Sequence, residues 1–161
     1  MSIALTTLSL LAALTGGVAM ILGFSVHSTE ALSLHAAVGW AAILASLFSH
    51  AMTIFYLFGT AKALREEAAG EGYIEEARRL RARLVPVLLV AALGTVALAV
   101  AGGAAVGGKI SIDVHRRVAL AVVAINTLAS LWTGIVLAAN QAMLVDIESA
   151  RSGETASGPR L

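Results

Sequence analysis

Residues 84–106 read LVPVLLVAALGTVALAVAGGAAV, a stretch with no charged side chain and a single hydroxyl at Thr95. At a rise of about 1.5 Å per residue it makes a helix of about 35 Å, enough to cross a hydrocarbon core of about 30 Å. Its apolar residues are continuous, not alternating, which predicts a membrane-spanning helix and excludes a barrel strand. Three more stretches of this kind accompany it, at 3–24, 34–58 and 118–143. The first has no Lys or Arg before it, is longer than a signal peptide's apolar region, and precedes no clear cleavage site. It is therefore taken as a span. The expected fold is an all-α, four-helix transmembrane bundle over residues 1–148, followed by a flexible tail over 149–161 rich in Ser and Gly.

Composition agrees with lipid as the solvent. Of 161 residues, 58% are hydrophobic and 13% charged, against about 25% charged in soluble domains. A soluble enzyme of this length lacks the polar residues to cover its surface. The absence of cysteine removes disulfides, thiolate metal sites, iron–sulfur clusters and covalent haem attachment. Histidine is left as the one strong nitrogen ligand, at His27, His35, His50 and His115. A net charge of +1 carries no basic bias toward nucleic acid.

Four spans place both termini and the connection between spans two and three on one side, A, and the two remaining loops on side B. Side A carries Lys62, Arg65, Arg78, Arg79, Arg81, Arg83, Arg151 and Arg160; side B carries Lys109, Arg116 and Arg117. The positive-inside rule makes side A cytoplasmic, as in a multi-pass protein of a bacterial inner membrane. The 62–83 connection reads as a cytoplasmic helical hairpin around Gly70-Glu71-Gly72, supported by Glu75 and Arg79 at i, i+4. Gly16, Gly17 and Gly23 of span one, and Gly94, Gly102, Gly103, Gly107 and Gly108 of span three, offer close-packing surfaces within the bundle or between protomers. A homo-oligomer or a subunit of a larger membrane complex is expected.

The scarce polar residues are not scattered. At about 100° per residue, Gly39, Ser46, Ser49, His50, Thr53 and Thr60 fall on one stripe headed by His35. Asn126, Ser130, Thr133 and Asn140 fall on a second, headed by His115. Such stripes are costly against lipid and should face one another inside the bundle. Spans two and four run parallel, so equal offsets mean equal depth: His35 and His115 lie level near side B, and His50 lies about 22 Å deeper, level with Ser130.

Three chemistries suit the level pair. In the first, His35 and His115 are axial ligands of a b-type haem, with Arg116 and Arg117 near its propionates and Ala36, Gly39 and Ala119 leaving room for the ring. On these histidines and the four-span layout the chain resembles small four-helix membrane b-type cytochromes of the cytochrome b561-like group. The resemblance implies electron transfer, with quinone as a partner, or a membrane oxidoreductase. Those proteins often carry a second histidine pair, and span four supplies no partner for His50. In the second, His27, Glu30, His35, Asp113 and His115 hold a Zn, Cu or Fe ion in an accessory subunit, although Glu30 and Asp113 also read as helix caps. In the third, the two histidines bond each other, water or backbone.

His50 reads as a second redox, quinone or proton-relay residue, or as a neutral imidazole bonded to Ser130 or Thr133. Tyr56, Asn126, Asn140 and Gln141 extend its polar surroundings. Trp40 and Trp132 suit ring stacking or anchoring, and Met20, Met52 and Met143 suit packing or lipid. The glycine pairs are no phosphate loop, and no serine sits on a nucleophile elbow.

Overall fold

In a computed structural model, which describes residues 1–66 and 70–156, with side chains to residue 152, four helices account for nearly all of the chain. They are α1 (Ser2–Phe24), α2 (Thr29–Glu66), α3 (Glu71–Val106) and α4 (Ile112–Ala156). Each contains a segment long and apolar enough to cross a membrane. Short connections fold them back on one another. α1 packs against α2 and α4, and α3 packs against the same two, so α2 and α4 face each other across a diagonal.

Local signals set the helix ends. Ser28 Oγ accepts the Ala31 amide at 3.1 Å and Ser111 Oγ accepts the Val114 amide at 3.3 Å. The serines are the caps. Glu30 and Asp113, expected to cap, instead sit in the first turns, where a carboxylate meets the positive end of the helix dipole. α3 ends at Gly107 and Gly108, the latter at φ 66, which lets the Lys109 amide return to the Ala104 carbonyl at 2.8 Å. Those two glycines stop a helix instead of packing one.

α4 continues past Ser149, where the expected flexible tail begins, to Ala156. Ala150, Arg151 and Glu148 are good helix formers and extend the preceding turns at little cost. Residues 157–161, and 67–69 of the expected hairpin tip, lie outside the described residues. Near that tip Glu75 accepts from Arg78 Nε at 2.8 Å and from Arg79 Nε at 3.2 Å. The Arg78 hydrogen bond, with the charges of both arginines, holds this exposed carboxyl below the usual carboxylate range.

The bundle is apolar outside, and its interior mixes apolar with polar side chains. Six of its buried leucines, Leu5, Leu57, Leu80, Leu84, Leu88 and Leu137, form one cluster drawn from all four helices. The other buried positions include Ser9, Ser46, Ser49, His50, Thr53, Thr95, Asn126, Ser130, Thr133 and Asn140. Outward-facing positions carry Leu14, Leu44, Phe55, Leu93 and Leu128, all more than 60% exposed. A water-soluble bundle carries polar and charged residues at such outward positions. Trp40 and Trp132 also face outward, away from both histidine stripes.

Candidate cofactor site

α2 and α4 bury matching positions at a constant separation of 80 residues: Ala42 with Val122, Ser46 with Asn126, His50 with Ser130, Thr53 with Thr133 and Leu57 with Leu137. α1 and α3 match at 79, in Leu5 with Leu84, Ser9 with Leu88, Ala12 with Ala91 and Gly23 with Gly102. The chain is thus two similar helical hairpins, α1–α2 and α3–α4, set about the bundle axis. His35 and His115 are equivalent positions of the two hairpins.

The buried interior stops short of them. On the side-B side of Ala19, Ala42, Thr95 and Val122, no described residue is buried. The inward stripes nevertheless continue, through Gly23 on α1, His35, Val38 and Gly39 on α2, Ala99 and Gly102 on α3, and His115, Val118 and Ala119 on α4. All are half-buried. The inward face at that end therefore carries mostly small side chains beside the two imidazoles. Ala36, expected beside the histidines, is exposed on the outer face.

His35 and His115 stand with ring centroids 6.3 Å apart and planes at 77°. Each packs on a glycine of the preceding helix. A Cβ on Gly23 would come within 2.9 Å of His35 Cε1, closer than carbon atoms tolerate, and one on Gly102 within 3.4 Å of His115 Cε1. His35 Nδ1 lies 2.9 Å from the Ala19 carbonyl. A carbonyl only accepts, so this nitrogen carries the proton and Nε2 keeps a free lone pair. His115 Nδ1 is buried without a partner.

The other expected ligands do not join the pair. His27, Glu30 and Asp113 are exposed, and Asp113 lies 3.7 Å from Arg116. Among the described residues, no three His, Asp or Glu side chains converge. The loop spacing that suggested a five-residue metal set is overridden by helix geometry, which turns both acids to the outside of the first turns. Arg116 is half-buried, with its guanidinium 5.5 Å above the Phe24 ring and a buried, unpartnered Nε. Arg117 is exposed.

Deeper in the bundle His50 is 3% exposed. Its Nε2 meets Asn126 Oδ1 at 2.9 Å, one turn from the Ser130 that equal helix offsets select. Asn126 Nδ2 donates to Thr95 Oγ1 at 3.1 Å and to the Val122 carbonyl at 3.0 Å. Ser130 instead exchanges hydrogen bonds with Ser9: Ser9 Oγ donates to Ser130 Oγ at 2.9 Å and Ser130 Oγ to the Ser9 carbonyl at 3.1 Å. The hydroxyl at the position equivalent to His50 therefore serves α1–α4 packing. Toward side A, Asn140 Nδ2 donates to Tyr56 Oη at 3.3 Å and Ser2 Oγ to Gln141 Oε1 at 3.1 Å. The glycine contacts at Gly23 and Gly102, and the choice of Asn126, carry no one-dimensional signal beyond the presence of small and polar residues. No model of a known protein family, no curated protein and no solved structure matches this chain.

Proposed function

We propose that this chain is a four-span integral membrane protein that binds one b-type haem between α2 and α4, through His35 and His115, and passes electrons. The apolar exterior and the candidate span in each helix support insertion. The excess of Lys and Arg at the end bearing both termini supports a cytoplasmic location for that end.

The observation that carries the haem is a donor set of two. A tetrahedral zinc, or a mononuclear copper or iron centre, takes three or four protein ligands, whereas haem iron takes two from the protein because the porphyrin supplies the others. Two imidazoles meet here and, among the described residues, no third His, Asp or Glu joins them. With metal–nitrogen bonds of about 2 Å and about 1 Å from ring centre to nitrogen, collinear imidazoles on one ion stand with centroids about 6 Å apart. The observed centroid separation is 6.3 Å, of the same size. The bond from His35 to Ala19 is of the kind that orients metal-ligating histidines and leaves Nε2 to the metal. The side chains facing inward beside the pair are mostly small, and the orphaned Arg116 Nε, with Arg117 beside it, would supply charge for propionates.

When bound, the group supplies a one-electron couple. The backbone bond from His35 to Ala19 would fix the ring, and electrons would pass at the side-B end to a membrane quinone or a second redox protein. His50 is not a ligand in this assignment.

The test is an absorption spectrum of protein purified from haem-supplied cells. A Soret band, with sharp α and β bands on dithionite reduction, is expected, and loss of both in His35→Ala and in His115→Ala. A colourless native preparation overturns the proposal, and elemental analysis of that sample then decides whether a Zn, Cu or Fe ion is held instead.

A further inference from the structure

The hydrogen bonds around His50 fix its protonation pattern. The Val122 carbonyl can only accept, so the Asn126 group facing it is the NH2, and the amide oxygen faces His50. His50 Nε2 therefore carries the proton and gives it to Asn126. Nδ1 keeps a lone pair that nothing in the protein satisfies.

Three hydroxyls nearby share this condition. Ser49 Oγ, Thr53 Oγ1 and Thr133 Oγ1 are buried without a partner, in residues 1%, 1% and 0% exposed. A threonine on a helix ordinarily satisfies itself by bonding the carbonyl four residues back. Thr15, Thr60, Thr95 and Thr127 do so here, at 2.8 to 3.0 Å. Thr53 and Thr133 do not. Each stands 18 residues beyond the histidine of its own helix, so by register they lie at one depth, across the axis, about one turn from His50.

We propose that this level of the bundle axis is a buried water site, in which water donates to His50 Nδ1 and bridges the hydroxyls of Thr53, Thr133 and Ser49. The chemistry selects the occupant. An acceptor-only group such as a carbonyl gains nothing from Nδ1, which has no proton to give. Water both donates and accepts, and buried water typically makes about three such bonds. Two facing threonines and an adjacent serine supply the rest of its coordination. The site is independent of the histidine pair about 22 Å away. It gives His50 a proton donor inside the bundle.

The test uses protein with 15N-labelled histidine in lipid bilayers, studied by solid-state NMR, with the His50 signals identified by their absence in His50→Gln. The expected result is an unprotonated Nδ1, a protonated Nε2 and polarisation transfer from water to the His50 ring. That transfer should be lost in T53V/T133V and kept in T53S/T133S. Native protein with no transfer to His50, or with a protonated Nδ1, overturns the proposal whether or not the valine variant folds. Transfer that persists unchanged in a folded T53V/T133V does the same.

Discussion

At side A, Ala61, Leu64, Ala77, Met143 and Ile147 close the space between α2, α3 and α4 with side chains 8% exposed or less. At side B glycine, alanine and valine flank His35 and His115, and nothing is buried over the 10 or more residues of α2, α3 and α4 nearest that side, or over the last five of α1. Folding into lipid gains little from hydrophobic burial, so a membrane bundle is held by packing and hydrogen bonds. Side A is closed by apolar packing, whereas side B sets two imidazoles among half-buried small residues.

The largest break in that comparison is chemical. His35→Ala or His115→Ala should remove the haem spectrum while leaving apo-protein stability within about 1 kcal/mol of native; a large stability loss would make the pair structural. His50→Ala should keep the spectrum. Next comes packing. Leu137→Ala, in the fully buried cluster, should cost about 2–5 kcal/mol, whereas Val118→Ala beside the histidines should cost under about 1 kcal/mol in apo protein. Reversible unfolding in bilayers or mild detergent measures both. Haem loading should raise the midpoint of native protein and not of His115→Ala, because only a state that binds is stabilised by ligand.

Hydrogen bonding in the middle of the bundle ranks third. Asn126→Leu strands His50 Nε2–H and removes a partner of Thr95, a loss of about 1–3 kcal/mol. Ser130→Ala should cost about 1 kcal/mol, since Ser9 keeps a flexible hydroxyl. Smallest are the glycines. Gly23→Ala drives a Cβ into His35 and should weaken haem retention more than Gly102→Ala, where the contact is looser. Gly17→Ala meets nothing within 4 Å and should change stability by no more than about 1 kcal/mol. Equal effects at 17 and 23 would show that ring packing on Gly23 does not matter.

Much of the architecture was legible in one dimension. Residues 84–106 read as a helix because lipid tolerates no unpaired backbone and rewards an unbroken apolar run. The two polar stripes were legible because helical period converts spacing into angle, and the level histidines because two parallel helices convert equal offsets into equal depth. Three details escaped. His50 takes Asn126 instead of Ser130 because a long side chain on a helix leans toward the helix N-terminus and so reaches a residue one turn nearer side B, while Ser130 is engaged with Ser9. Ser28 and Ser111 cap where Glu30 and Asp113 were expected, because capping depends on which residue is the last non-helical one. The hairpin repeat shares burial but seldom residue type: Ser9 answers to Leu88 and His50 to Ser130.

By itself the amino-acid sequence determined the number of long apolar helices and the faces they turn inward, since each follows from local composition and a fixed helical period. Only the tertiary structure decided that two of four histidines meet, that His35 Nδ1 lies on the Ala19 carbonyl and His50 Nε2 on the Asn126 amide oxygen, and that residues are fully buried at one end of the bundle and not at the other. Those depend on groups far apart in the chain coming within a few ångströms, and no local period encodes that distance.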